Sequence, residues 1–418
     1  MKYLLFLLLL SGPKVLWGAP SNQTPMKTPW NMAELRRAPR IYPASEWKSE
    51  GIESLFYEGV AWRGQPTRVF AWFGLPVHKP NQKVPAVVLV HGGGGTAFDY
   101  WVKLWNSRGY AAIAMDICGA LPGDPALASF SRPRGEFSGP PGWGGFLSVD
   151  EPMTDQWSYH AVADVVLANS YLRSRPEIDA QRIGITGISW GGYLTCIAAG
   201  IDDRFAWAAP VYGCGFLADN SLWKPVFEKL KPEDTQKWLD WWEPSRYLGR
   251  ARMPFLWVDG TNDFAYPLDS LQKSYRLPTG PRFLATRLNM VHAHGGPGEN
   301  PDEIRAFADA ICKQGVRLPR IIKAAREGDK LRVEWDSPAE IQRVELLWTG
   351  DNGPWMSRVW KAQAVTFDAK AKSATATLPP ATVAYFWNLT DARGLLASSE
   401  HEELAPMAEA KSAPLGAT

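Results

Sequence analysis

Between residues 85 and 288 the chain repeats one pattern, a short run of consecutive apolar residues followed by a stretch with helical spacing. The runs fall at 85–90 (PAVVLV), 110–116 (YAAIAMD), 182–188 (RIGITGI), 205–212, 254–259 (PFLWVD) and 282–288. Helical spacing occupies 98–107, 154–173, 191–200, 268–275 and 301–315. A strand that is apolar throughout has to be covered on both faces, and parallel sheets achieve this by carrying helices above and below. The alternation therefore predicts an α/β fold built on a mostly parallel, doubly wound sheet. Ahead of it, two alternating runs within 55–73 flank Arg63-Gly64-Gln65-Pro66 and read as a strand pair joined by a turn. Residues 20–50, rich in Pro, Asn and Lys, read as an irregular lead-in.

Two stretches interrupt the alternation. Residues 119–153 are full of Gly and Pro, and residues 213–249 carry Trp223, Trp238, Trp241 and Trp242. Both follow strands, so both belong at the carboxyl edge of the sheet, where open α/β folds bind ligands. They are expected to form loops or a partial lid around a pocket. Beyond residue 318 short apolar runs recur with turn residues between them, at 331–335, 344–348, 364–367, 374–378 and 384–389. This is an all-β pattern and predicts a small sandwich of immunoglobulin type over 318–405. A chain of 418 residues is thus read as two domains, a core over 51–317 and the β domain, with a disordered tail at 406–418.

The first 19 residues hold one early Lys, the run YLLFLLLL, and small residues at Gly18 and Ala19. They read as a cleaved secretory leader, and the apolar run is too short to span a bilayer. No second run is long enough for a stable membrane span, so a secreted or periplasmic location is expected. The formal net charge of +2 comes with no basic stripe, which argues against a nucleic-acid partner. Cys118, Cys196, Cys214 and Cys312 show no metal-ligand spacing, so buried free thiols and no cofactor are expected.

The chemistry enters at Gly187-Ile188-Ser189-Trp190-Gly191, between an apolar strand and a small-residue helix. A G-x-S-x-G at such a junction is a nucleophile elbow. The serine sits in a strained tight turn that holds its oxygen clear of the backbone, and only glycine two residues before and after avoids a clash. The helix that follows points its amino end at developing negative charge. A serine hydroxyl needs a base, and in this arrangement the order along the chain is Ser, acid, His. The acid is expected after the 254–259 strand, at Asp263, with Asp259 the alternative. The base is expected after the last strand, in His292-Ala293-His294-Gly295. His294 is favoured because it precedes glycine; His292 would then support the pocket. Oxyanion donors are expected from the amide of Trp190 and from the loop His91-Gly92-Gly93-Gly94-Gly95, with Gly93 first and Gly94 next. His91 reads as a residue that braces this loop.

These residues resemble the acetyl xylan esterase, cephalosporin-C deacetylase and dienelactone hydrolase branch of the α/β-hydrolases, and the catalytic domain of prolyl oligopeptidase-like peptidases. The resemblance runs from about Val60 to Gly315 and rests on HGGGG at 91–95, DAQRIGITGISWGGYLT at 179–195, DGTNDFAYP at 259–267 and HAHG at 292–295. It implies Ser189 as nucleophile, Asp263 as acid, His294 as base, and the amides of Gly93 and Trp190 as the oxyanion hole. The doubled histidine departs from the family pattern, and the β domain lies outside it.

Such peptidases carry a β-propeller before the core. Only about 40 residues separate the leader from the first strand pair here, while each propeller blade needs roughly 40. The expectation is therefore a serine carboxylesterase. Its 21 tryptophans, several of them in the two insertions, suggest a carbohydrate ester, with Trp143 and Trp223 as candidate pocket residues. A peptidase acting on short peptides and a non-catalytic binding protein on the same scaffold are the other classes to separate.

Overall fold

The apolar runs become the middle of one large sheet. The protein is described here by a computed structural model, which covers residues 28–123, 127 and 131–404. The leader proposed at 1–19 and the tail at 406–418 lie outside the described residues.

Among the described residues nine strands form the main sheet. They are β1 (Ile41–Pro43), β2 (Glu53–Glu58), β3 (Arg68–Gly74), β4 (Val84–Val90), β5 (Ala111–Met115), β6 (Ile178–Ile188), β7 (Trp207–Val211), β8 (Phe255–Gly260) and β9 (Arg282–Arg287). Their order is β1-β2-β3-β5-β4-β6-β7-β8-β9. The strands from β5 to β9 run parallel in that order, and β1, β2 and β3 extend the sheet antiparallel beyond β5. Every residue of β4, β5, β7 and β8 is buried, as strands covered on both faces require. Helices Trp157–Ser174 and Trp190–Ile201 pack on one face, and helices Asp99–Ser107 and Asp302–Cys312 on the other.

The lead-in differs from expectation. Residues 41–43 join the sheet as β1, and Trp30 and Leu35 are buried in its core. Three residues ending in Pro43 are too few to carry a readable period, and proline is tolerated there because β1 is an edge strand. Among the described residues of the first interruption, 119–153, a short helix forms at Phe146–Ser148 and the rest is mostly turns and bends. The second, 213–249, folds into three short helices, Lys224–Phe227, Pro232–Trp241 and Ser245–Leu248.

The C-terminal part contributes β10 (Arg320–Glu327), β11 (Lys330–Asp336), β12 (Ile341–Thr349), β13 (Lys361–Ala364), β14 (Phe367–Asp368), β15 (Ser373–Thr377), β16 (Ala384–Asp391), β17 (Leu396–Ser398) and β18 (Glu402–Glu403). One antiparallel sheet has the order β10-β11-β15-β14, and the other β13-β12-β16-β17, with β18 also on β16. Val333, Trp335, Leu346, Trp387 and Leu389 fill the space between them. This unit is seated on the open edge of the main sheet. Ser398 Oγ accepts from the Thr286 amide of β9 at 2.8 Å, and Asn388 Nδ2 donates to the Thr286 carbonyl at 3.0 Å. Trp355, Trp360 and Phe386 join the core of the α/β part.

Candidate active site

β6 ends at Ile188 and the next helix starts at Trp190, so Ser189 alone makes the turn. Its backbone takes φ 56 and ψ −118, a region L-residues seldom occupy. The surrounding glycines are required sterically. A Cβ on Gly187 would lie 2.2 Å from Gly191 O, and one on Gly191 would lie 2.0 Å from Val90 O. The Ser189 amide donates to Val211 O at 3.0 Å, which ties the turn to the end of β7.

The next residue past β7, Tyr212, stacks on His292 with ring centroids 4.1 Å apart. The Tyr212 hydroxyl donates to the Ala293 carbonyl and so holds the loop that carries this histidine. Phe264 packs on the His292 ring as well, with centroids 4.7 Å apart. His292 Nδ1 meets Asp263 Oδ2 at 2.6 Å, and Asp263 Oδ1 accepts from the amides of Ala265 and Tyr266 at 2.9 and 2.7 Å. Both oxygens of the carboxylate are therefore spoken for, and its orientation is fixed. With the Nδ1 proton directed at Asp263, the Nε2 lone pair of His292 is left to act as a base.

Asp259 lies one residue before the end of β8 and is fully buried. Burial, and after it the charge of Asp263, hold its carboxyl well above the usual range, so it keeps its proton. Its Oδ1 accepts from the Gly260 amide, and Oδ2 has no partner among the described residues.

His294, the histidine favoured from sequence, is brought elsewhere. Its Nε2 accepts the Gly92 amide at 3.0 Å, and among the described residues no carboxylate bonds to its ring. Burial first, then His91, His292 and Arg132, lower its pKa to about 4. The physical reason for the difference is reach. Asp263 lies in the loop beside residue 292, whereas residue 294 has turned toward the glycine loop after β4. Gly93 lies in that loop against the Trp190 indole, where a Cβ on Gly93 would sit 3.2 Å from Trp190 Cδ1.

The insertions supply an aromatic wall. Trp223 is tilted over Trp190 at 4.4 Å and over Tyr266 at 5.0 Å. Trp143 sits edge-on to His91 at 5.7 Å. Buried Glu243 accepts the amides of Phe216, Leu217 and Ser245 and so organises the start of the second insertion. Tyr212, Phe264 and Glu243 were not singled out from sequence. Phe264 and Tyr212 adjoin motif residues or a strand end, but nothing in the local sequence marks Glu243. All four cysteines are free and buried. Among the described residues no helix is long and apolar enough to cross a membrane.

This sheet, with a serine elbow between β6 and its helix, defines the α/β-hydrolase class. Residues 35–229 match the family profile of acetyl xylan esterase (AXE1), and residues 220–354 match that of the PhoPQ-activated pathogenicity-related protein. Among solved structures, an acetyl xylan esterase from Paenibacillus sp. R4 is similar with TM-score 0.53 and 22% identity, covering 67% of this chain and 92% of that one. Acetyl xylan esterase 1 from Thermoanaerobacterium sp. JW/SL YS485 aligns with TM-score 0.49 and 18% identity over 64% of this chain and 90% of that one. Dipeptidyl-peptidase 5 of Porphyromonas gingivalis is 24% identical over 217 residues, 47% of this chain, and the chain spans only 28% of that relative's length. The chain therefore has the α/β-hydrolase fold, with the acetyl xylan esterase profile matching the part that carries Ser189.

Proposed function

We propose that the protein is a secreted serine carboxylesterase that removes acetyl groups from a carbohydrate. The observation that carries this reading is the 2.6 Å contact between Asp263 and His292, in a loop stacked on the strand end that also binds the Ser189 amide. Ser189 acts as nucleophile, His292 as base and Asp263 as the group that fixes the imidazole tautomer and stabilises its cation. The assignment of the base thus moves from His294 to His292.

In the first half-reaction Ser189 Oγ attacks the acetyl carbonyl while its proton passes to His292 Nε2. The amides of Gly93 and Trp190 hold the oxyanion, and collapse of the tetrahedral adduct releases the sugar hydroxyl with the proton from His292. In the second half-reaction water attacks the acetyl-enzyme by the same route and acetate leaves. The carbohydrate assignment is supported by the acetyl xylan esterase profile over 35–229 and by the half-buried Trp143 and Trp223, whose faces suit sugar rings. Secretion is supported by the sequence of residues 1–19. We read the C-terminal unit as a sandwich of immunoglobulin type, supported by strand orders that correspond to ABED and C′CFG.

The test is turnover of p-nitrophenyl acetate, acetylated xylan and acetylated monosaccharides by wild type and Ser189→Ala. Loss of nearly all turnover in the variant, with acetyl esters preferred over aminoacyl and dipeptidyl amides, supports the reading. Retention of more than a few per cent overturns the mechanism, and a preference for amides makes the protein a peptidase.

A further inference from the structure

The chain carries two histidines within three residues, and the mechanism consumes one. His294 is half-buried at the heart of the site yet does not pair with the acid. Its role follows from what it touches, the peptide one residue ahead of the oxyanion donor.

The two peptides that flank the Gly92 Cα, His91–Gly92 and Gly92–Gly93, are both held. The Gly92 amide donates to His294 Nε2 at 3.0 Å. The Gly92 carbonyl accepts from His91 Nδ1 at 2.9 Å and from the Gly95 amide at 3.1 Å. The His91 proton is assigned to Nδ1 by the other bond of the ring, because His91 Nε2 faces the Ile117 amide at 3.2 Å and an amide can only donate. Arg132 Nη1 then donates to Gly95 O at 3.2 Å and secures the far end of the turn. A trans peptide is planar, so a carbonyl fixed at Gly92 also fixes the direction of the N–H at Gly93.

The loop has no slack against these rings. A Cβ on Gly95 would lie 2.8 Å from both His294 Nε2 and His91 Nδ1. A Cβ on Gly92 would lie 2.9 Å from Ser189 Cβ and 3.3 Å from His294 Nε2. The clamp, the loop and the nucleophile are therefore in direct contact.

We propose that His294 is a positioning residue which, together with His91, clamps the Gly92–Gly93 backbone so that the Gly93 amide is aimed at the oxyanion before substrate arrives. The inference rests on Gly93 being an oxyanion donor in the function proposed above. His294 must accept and His91 must donate, and each does so as a neutral ring. Burial keeps both neutral, lowering His91 to about 3 and His294 to about 4. Phe98, with its ring centroid 5.1 Å from that of His294, fills the space beside the imidazole.

The experiment compares His294→Ala, His294→Gln, His292→Ala and Ser189→Ala in the full chain with p-nitrophenyl acetate. It also measures inhibition by a methyl trifluoromethyl ketone, whose serine adduct carries an oxyanion. The expected result for His294→Ala is a kcat lower by about 10²-fold with KM within threefold, since one oxyanion donor is worth that much. Inhibitor binding should weaken by a similar factor, while the shape of the kcat/KM pH profile stays as in wild type. His294→Gln keeps an acceptor oxygen and recovers most of the lost rate; if the alanine variant does not fold, this variant decides alone. His294→Ala with wild-type kcat and inhibitor affinity overturns the clamp. So does His294→Gln as inactive as His292→Ala, which would make His294 the base. Turnover surviving in Ser189→Ala is a different failure, of the esterase mechanism itself.

Discussion

At the residue scale the site separates two acids that look alike in the sequence DGTND. Asp263 is held by two backbone amides and one imidazole, whereas Asp259 is sealed at the strand end with its proton retained. Asp263→Asn should lower kcat by about 10⁴-fold, because an amide in that place favours the wrong imidazole tautomer. Asp259→Asn preserves shape and replaces a neutral acid by a neutral amide, so turnover within about threefold of wild type is expected. Steady-state kinetics on the two purified variants check this, and equal losses would mean that the acid has been misassigned. The elbow makes a second, steric prediction. Gly191→Ala places a methyl 2.0 Å from Val90 O, and its cost should reach or exceed about 3 kcal/mol, the upper end for overpacking. Gly142, with φ 101 and open space around it, is the control: Gly142→Ala should cost only about 1–2 kcal/mol, from backbone strain alone. Denaturant midpoints of the two variants should differ accordingly.

At the scale of elements, sequence reading succeeded where one rule dominated and failed where two competed. Strands β4, β5, β7 and β8 were legible because burial on both faces selects for apolar residues, and helix Leu268–Tyr275 because one face must stay wet. The tight turn at Ser189 was legible because steric crowding admits only glycine around it. Which histidine meets Asp263 was not, because both lie in one loop and the outcome depends on which part of that loop turns toward the carboxylate. β1, β17 and β18 are two or three residues long and exist through pairing with longer neighbours, so they leave no period. Nor does sequence reveal that the β unit closes the sheet edge through Ser398 and Asn388 on Thr286. That contact is testable. Ser398→Ala or Asn388→Ala leaves one buried backbone group of Thr286 unpaired and should cost about 1–3 kcal/mol. Ser398 Oγ also donates to Asn388 Oδ1 at 2.6 Å, so the double variant should cost less than the sum. Additive losses, or none, in urea melts would show that the edge is not held this way.

The whole molecule buries an unusual set of ionisable groups, and their opposed shifts set how stability depends on pH. Four histidines are lowered, chiefly by burial: His91 and His401 to about 3, His160 and His294 to about 4. Burial raises five carboxyls: Asp116 to about 6 and Glu243 to about 7, with Asp164, Asp259 and Glu299 also above their usual range. For the histidines the unfolded chain binds more protons below pH about 6.5, so their contribution to stability is present above that pH and is lost on acidification. For the carboxyls the folded chain binds more protons, so their contribution is present below the unfolded value of about 4 and is lost as pH rises through each folded pKa. Between about pH 4.5 and 6.5 the two sets oppose each other, and the thermal midpoint should vary little there. On the alkaline side only the carboxyl set still changes, so the midpoint should fall from pH 6.5 to 8; on the acid side only the histidine set does, so it should fall below pH 4. Glu243, at about 7 against 4.5, loses roughly 3 kcal/mol in all, most of it below pH 6.5, and contributes about 1 kcal/mol or less to the alkaline limb. Glu243→Gln removes that titration and should make the alkaline limb shallower while leaving the acid limb unchanged, although it also loses one acceptor for the amides of Phe216 and Leu217. Calorimetric scans of both proteins from pH 3 to 9 decide the matter. A midpoint that rises steadily to pH 8 in the wild type would mean that these carboxyls are ionised in the fold, and that the buried acids carry compensating partners.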